Sequence, residues 1–232
     1  VCRRVAHQPP STFHEGVQLL WFTDMAVMFG DEVGLVGPGH IDRTLISLYE
    51  QDLRAGRLTR ERALLLIESW YLMLNEFIAS GLAIPVMVGG RDAAGRDVTN
   101  DLSYLCLEAL RRTALAYPTV GVCWHEGTPA ALTELAVELI GRGRSTPAFF
   151  GDETIQRGLR LYGVPAEQAC WYINSTCVEI TPSGASNVWV ASPYFSVCKF
   201  LMDEVQAQAE GGAAADFDGF VTSYRRRLAE QI

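Results

Sequence analysis

Ile84-Pro-Val-Met-Val-Gly-Gly-Arg-Asp-Ala-Ala-Gly-Arg-Asp-Val-Thr-Asn100 is the stretch that decides the fold. Its apolar start, Ile84 to Val88, shows no polar alternation and reads as a short buried strand. Gly89-Gly90 ends that strand, and Asn100 offers a side-chain cap to a helix expected over Asp101 to Leu115. A second buried strand, Val120-Gly-Val-Cys-Trp124, follows. Strand, helix, strand in this order is a parallel α/β unit, whose chemistry usually sits on the loops at the strand ends.

The pattern extends in both directions. Downstream, Thr128-Pro129 reads as an N-cap with proline at the first helical position, opening a helix to Ile140. Pro147-Ala-Phe-Phe150 is a third strand, and Asp152 opens a helix to Leu161. Upstream, Pro9-Pro10-Ser11-Thr12 enters a helix marked by Val17, Leu20, Trp21, Asp24, Val27 and Met28. A glycine-rich loop from Gly30 to Gly39 leads to a helix over Ile41 to Arg54. Thr59 caps another, with Ala63, Ile67, Trp70, Leu74 and Phe77 at helical spacing. Two further helices are expected, Tyr194 to Gln208 and Phe217 to Gln231, with Gly211 to Ala215 as a turn between them.

With 49% hydrophobic residues the chain can bury a substantial core, which argues against disorder. A net charge of −8 argues against nucleic acid or an anionic membrane as the main partner. Cysteines at 2, 106, 123, 170, 177 and 198 form no CxxC pair, which points to reduced thiols in a cytoplasm and to no metal site. No apolar run reaches the length of a membrane span. The opening Val1-Cys-Arg-Arg and the close at Ile232 read as the ends of a segment cut from something longer.

Cys177-Val178-Glu179, set in Trp171-Tyr-Ile-Asn-Ser-Thr-Cys-Val-Glu-Ile-Thr-Pro-Ser-Gly184, is the candidate site. Residues two apart on extended chain share a face, so thiol and carboxylate can address one small substrate together. A cysteine is nonetheless most often an inert small hydrophobe. Cys170 and Cys198 read as core thiols, and His125-Glu126 as a solvated loop pair in preference to a proton relay. Asp24 and Asp31 read as a helix-face and a loop carboxylate, and Arg225-Arg-Arg227 as a solvated helix end.

Several segments, taken in order, resemble the glycyl radical enzymes, the family of pyruvate formate-lyase. Phe13-His-Glu-Gly-Val-Gln-Leu-Leu-Trp-Phe22 is similar to the family pattern TFxEAxQxxWF. Gly39-His-Ile-Asp42, with Tyr49 and Asp52, resembles GRxD and its following helix. Gly56-Arg-Leu-Thr59 through Asn75-Glu76 resembles GxLTxExAxxLL…NE, and Gly89 through Ser103 resembles GGxxxxGxDxTNxLS. Pro147-Ala148, Asp152-Glu153 and Gly163-Val164 follow, then Cys177-Val178-Glu179, where many members read GCVEP.

The resemblance implies an α/β fold that is part of a ten-stranded barrel, about a half-barrel, with residues 1–232 a single segment of the catalytic domain. It implies Cys177 as a thiyl that removes a hydrogen atom from substrate, and Glu179 as a general base in dehydration or carbon–heteroatom cleavage. Burial that raises its pKa would suit the glutamate to that task. An arylacetate-type decarboxylase of the same family is the alternative, and a truncated relative that binds a partner subunit is another. The family's glycine finger, Arg-Val-x-Gly plus an aromatic residue, is not matched by Arg4-Val-Ala-His7. The radical is therefore expected outside this chain, installed by a radical SAM iron–sulfur activating enzyme, with no bound cofactor here and a homodimer at full length.

Departures bear on substrate. Thr176 and Ile180 replace the usual glycine and proline around the triplet, and Thr176-Cys177 is not the adjacent cysteine pair of pyruvate formate-lyase itself. Gly34-Leu35 stands where diol dehydratases place a His-Ser pair. A pocket lined by Leu35, Trp189 and Val190 is expected to favour a less polar or aromatic substrate over glycerol.

Overall fold

The computed structural model describes residues 1–30, 36–77, 84–174, 179–185, 197–211 and 216–230. These fall into two compact units, Val1–Trp189 and Val190–Ile232.

In the first unit α1 (Cys2–Val5) precedes α2 (Phe13–Gly30), α3 (Ile41–Arg54) and α4 (Arg60–Phe77). Then β1 (Pro85–Gly89), α5 (Asp101–Thr113), β2 (Thr119–Trp124), α6 (Ala130–Gly141), β3 (Ala148–Gly151) and α7 (Asp152–Leu161) alternate as the sequence predicts. The strands form a parallel sheet in the order β1-β2-β3, with Met87 beside Gly121 and Gly121 beside Ala148. The fold is α/β with parallel strands.

Local chemistry sets the boundaries. Asn100 caps α5 by accepting from the Leu102 N–H at 2.9 Å, and Ser103 Oγ accepts from the Asn100 N–H in return. The helix stops at Ala114, a left-handed residue at φ 58°, so Leu115 lies beyond it and not within it as expected. Thr128 does not cap α6 either. Its hydroxyl accepts from the His125 N–H at 2.9 Å, closing the turn after β2, and Pro129 itself takes the N-cap position.

The two faces of the sheet have different partners. Val86, Val88, Val120 and Val122 join a core built with α2 to α6, in which Phe13, Leu74, Leu105 and Leu139 are wholly buried. Met87, Cys123 and Phe150 face the other way. Against that second face packs a feature the helix-and-strand reading missed: α8 (Ala166–Ala169) leads to β4 (Tyr172–Asn174), which pairs antiparallel with β5 (Ile180–Pro182). Tyr172 and Ile173 of β4 fill the face beside Met87 and Cys123.

Close approach is possible because three residues lack side chains. A Cβ on Gly121 would lie 2.7 Å from Met87 Sδ, and one on Gly39 would lie 3.0 Å from Ile173 Cγ2. Gly90 is the most constrained: at φ +87°, its Cβ would lie 2.7 Å from both Arg43 Nη2 and Cys123 Cβ.

The second unit is a helix pair, α9 (Val197–Ala209) and α10 (Phe217–Ala229). Asp216 caps α10 through the Gly219 N–H at 2.8 Å. Arg227 is not a bare solvated helix end: its Nε donates to the buried Glu204 at 2.5 Å. Cys198, expected in the core, is exposed on α9. Among the described residues no helix is long and apolar enough to cross a membrane.

Gly56 separates conformational strain from steric contact, since it too has positive φ (+67°) but nothing within 4 Å of its Cβ position. Gly56→Ala should cost about 1 kcal/mol from the left-handed backbone alone. Gly90→Ala should cost roughly 3 kcal/mol, because the neighbours must also move. Urea unfolding of both variants checks this; equal losses would mean that the close approach at Gly90 costs nothing.

Candidate active site

Three parallel strands end side by side, and each hands the chain to a polar residue: Arg91 after β1, His125 after β2 and Asp152 after β3. Asp152 is wholly buried and balanced, accepting from Arg91 Nε at 3.0 Å and from Gln156 Nε2 at 3.0 Å. Arg91 Nη1 continues to Glu153 at 2.7 Å. His125 is buried, correcting the solvated-pair expectation, while Glu126 is exposed. The Gly127 N–H donates to His125 Nδ1 at 3.1 Å, which places the ring proton on Nε2, 3.1 Å from Asp97 Oδ1. His125 thus ties the turn after β2 to the loop before α5.

The start of α3 supplies the rest. Asp42, wholly buried, accepts from the Gly89 N–H at 2.8 Å and from Ser103 Oγ at 2.6 Å. Burial pushes its carboxyl above the usual range, opposed by the Ser103 bond and the Arg43 charge. Arg43 donates through Nη2 to the Gly89 carbonyl at 2.5 Å and through Nη1 to the Cys170 carbonyl at 2.7 Å. Its guanidinium also lies over the Trp171 ring, 5.5 Å from the centroid. His40 lies 2.7 Å from the Tyr172 carbonyl through Nε2. Burial, with the Arg43 charge second, holds its pKa well below the ordinary histidine value, so the ring is neutral and donates from Nε2.

These contacts converge on the hairpin β4–β5, whose connecting residues 175–179 include both candidate catalytic residues. Glu179 immediately precedes β5 and is exposed. Cys177 lies outside the described residues, as do Leu35, Trp189, Val190 and Asp31. The described structure thus brings together the anchors of the thiol–carboxylate loop without describing its tip.

The buried thiols are chemically quiet. Burial pushes Cys123 up to about 12 and raises Cys106 and Cys170 as well, so all three stay protonated and unreactive as nucleophiles. Cys170 is a buried thiol as expected. Among the described residues no group of three or more His, Cys, Asp and Glu is arranged to hold a metal ion.

The pyruvate formate lyase-like family profile matches residues 1–203. The chain belongs to this family of glycyl radical enzymes. It is 29% identical to a (2S)-3-sulfopropanediol dehydratase of Klebsiella oxytoca, over 86% of this chain and 26% of that protein. It is 31% identical to an isethionate sulfite-lyase of Nitratidesulfovibrio vulgaris, over 77% of this chain and 23% of that protein. A solved structure concerned with 1,2-propanediol dehydration in Roseburia inulinivorans superposes with a TM-score of 0.83 at 28% identity, over 98% of this chain and 31% of that one. The chain spans about a quarter of the length of the curated relatives it matches.

In this glycyl radical family member, several anchoring residues escape sequence reasoning. Gly39-His-Ile-Asp42 was legible as a family segment, yet nothing in it revealed that His40 and Arg43 reach the hairpin, some 130 residues away in the chain. A usable signal was the charged residue that follows the glycines ending two of the strands, Arg91 after Gly89-Gly90 and Asp152 after Gly151.

Asp24 is a carboxylate on the helix α2 as expected, but on its buried side, and it accepts from Trp70 Nε1 at 3.1 Å. Burial pushes it up to about 7 from 3.8, the Trp70 bond opposing. The folded state therefore holds this proton more tightly than the unfolded chain, and the stability it contributes is lost as pH rises towards 7. Asp24→Asn keeps an acceptor for Trp70 without the charge. The variant should gain on the wild type by roughly 2–3 kcal/mol between pH 5 and pH 8. Urea unfolding at both pH values measures this, and a constant difference would sink the assignment.

Proposed function

We propose that this chain is the central segment of a glycyl radical lyase, about half of a ten-stranded barrel, in which Cys177 is the hydrogen-abstracting thiyl and Glu179 the general base. The observation that carries the reading is the β4–β5 hairpin: its connecting residues hold both side chains, and its base is pinned to the start of α3 by His40 and Arg43, and through Arg43 to the end of β1. Membership in a family whose relatives include a dehydratase and a sulfite-lyase supports elimination as the reaction type.

In this reading Cys177 gives its thiol hydrogen atom to a glycyl radical carried elsewhere in the enzyme. The resulting thiyl takes a hydrogen atom from a substrate carbon and becomes a thiol again. Glu179 accepts the proton of the hydroxyl on that carbon, and the leaving group departs from the neighbouring carbon with its bonding electrons. The product radical then recovers a hydrogen atom from Cys177.

The partners that go with this reading are a small organic substrate and a radical SAM iron–sulfur activating enzyme, with a homodimeric full-length protein in the cytoplasm. Leu35, Trp189 and Val190 are the proposed determinants of a less polar or aromatic substrate.

In the full-length enzyme, after activation, Cys177→Ala should keep the glycyl radical signal in electron paramagnetic resonance and lose all turnover. Glu179→Gln should retain both radical and thiol and lose about 10²-fold or more in kcat. Turnover by Cys177→Ala would refute the thiyl assignment. Product analysis distinguishes elimination, which releases water or another heteroatom group, from decarboxylation, which releases carbon dioxide.

A further inference from the structure

The hairpin that holds Cys177 and Glu179 is attached to the rest of the first unit at its base, and the attachments are few and specific. β4 lies against the sheet through Tyr172 and Ile173, contacts that resist separation but, being apolar, fix no unique position along the strand. Directional contacts fix position. Two come from α3: His40 Nε2 to the Tyr172 carbonyl at 2.7 Å, and Arg43 Nη1 to the Cys170 carbonyl at 2.7 Å. Arg43 differs from His40 in using its other amino group, Nη2, on the Gly89 carbonyl at 2.5 Å, the last peptide of β1. One planar guanidinium therefore bridges the strand end and the chain that enters the hairpin. Its carbon lies over the Trp171 ring, 5.5 Å from the centroid, and Gly90 leaves it room, since a Cβ there would meet Nη2 at 2.7 Å.

Neither carbonyl needs a positive charge for its own satisfaction; a backbone N–H or water would serve. What a guanidinium adds is a fork with fixed angles between its donors, so that both carbonyls are located relative to one rigid plane. A lysine ammonium supplies charge and donors without that geometry. We propose that Arg43 is a positioning residue that sets the register between strand β1 and the loop carrying Cys177 and Glu179. Its Nη1 and Nη2 donors, among the described residues, go to the backbone carbonyls of Cys170 and Gly89. Its effect passes through Cys170 and β4, whose Asn174 pairs with Ile180, the neighbour of Glu179. A displacement of about 1 Å at a reacting group can lower a rate about 10²-fold, so this register bears directly on turnover.

The inference rests on the reading of Cys177 and Glu179 given above, and it is tested by measurements that need no substrate. In the full-length protein, hydrogen exchange and the alkylation rate of Cys177 by iodoacetamide are compared for wild type, Arg43→Lys and Arg43→Ala. Both variants should speed exchange at 172–174 and alkylation of Cys177 about tenfold or more, with exchange in α4 and α5 unchanged. Guanidinium ion, at concentrations too low to unfold the wild type, should restore Arg43→Ala but not Arg43→Lys, whose side chain occupies the slot. Exchange and alkylation within twofold of wild type in Arg43→Lys would overturn the proposal. So would an equal rise in α4 and α5, which would make Arg43 a general stability residue, and so would a failure of guanidinium to restore Arg43→Ala. Turnover by Cys177→Ala would instead overturn the reading of the site and leave these exchange results intact.

Discussion

Gly89, at the end of β1, has both of its backbone polar groups taken by side chains of α3: its N–H donates to Asp42 at 2.8 Å and its carbonyl accepts from Arg43 at 2.5 Å. A buried peptide at the end of a strand must find partners outside the ladder or lose the solvation of both groups. Here they come from consecutive residues of one helix, one negative and one positive. The strand end, the helix start and the glycine pair are thereby locked into one arrangement. Ser103 draws α5 to the same carboxylate, and Cys170 draws the hairpin to the same guanidinium. Much of what surrounds the candidate site is referenced to this single residue.

Around this node the molecule separates two tasks by the two faces of its sheet. The helical face is apolar and supplies the burial that holds the domain together. The opposite face is small, built from Met87, Cys123, Phe150, Tyr172 and Ile173, and receives the hairpin. The charges at the strand ends are matched in sign: Arg43 and Arg91 against Asp42 and Asp152, with Gln156 filling the remaining acceptor sites of Asp152. Removing one member would leave an uncompensated buried charge, whose cost exceeds that of most surface ion pairs.

The family relationship and the local physics agree without depending on each other. The resemblance was carried by glycines, caps and turn residues spread along the chain, and many of these are the positions the fold uses. Gly90 yields space to Arg43, Asn100 caps α5, and Asp42 receives Gly89 and Ser103. Over nearly its whole length the chain superposes on a structure about three times longer, so this portion of the family fold is reproduced by the segment's own sequence.

What the sequence by itself determined was the three parallel strands and the longer helices, but not α8 or the β4–β5 pair. Unbroken apolar runs identified β1, β2 and β3, and Asn100, Thr59 and Gly56 marked helix boundaries, because those signals act within a few residues. The candidate pair Cys177 and Glu179 was legible through its own motif. Errors arose where two local partners competed, as when the Thr128 hydroxyl turned to His125 in place of α6. Only the tertiary structure decided which charges are buried and what they hold. His125, Asp24 and Asp152 look like ordinary polar residues in the chain, and the reach of His40 and Arg43 to the hairpin spans some 130 residues. The physical reason is that periodicity and capping report the preferences of neighbours in sequence. Burial of a charge, by contrast, is settled by desolvation and by partners that only the assembled sheet and helices bring within hydrogen-bonding distance.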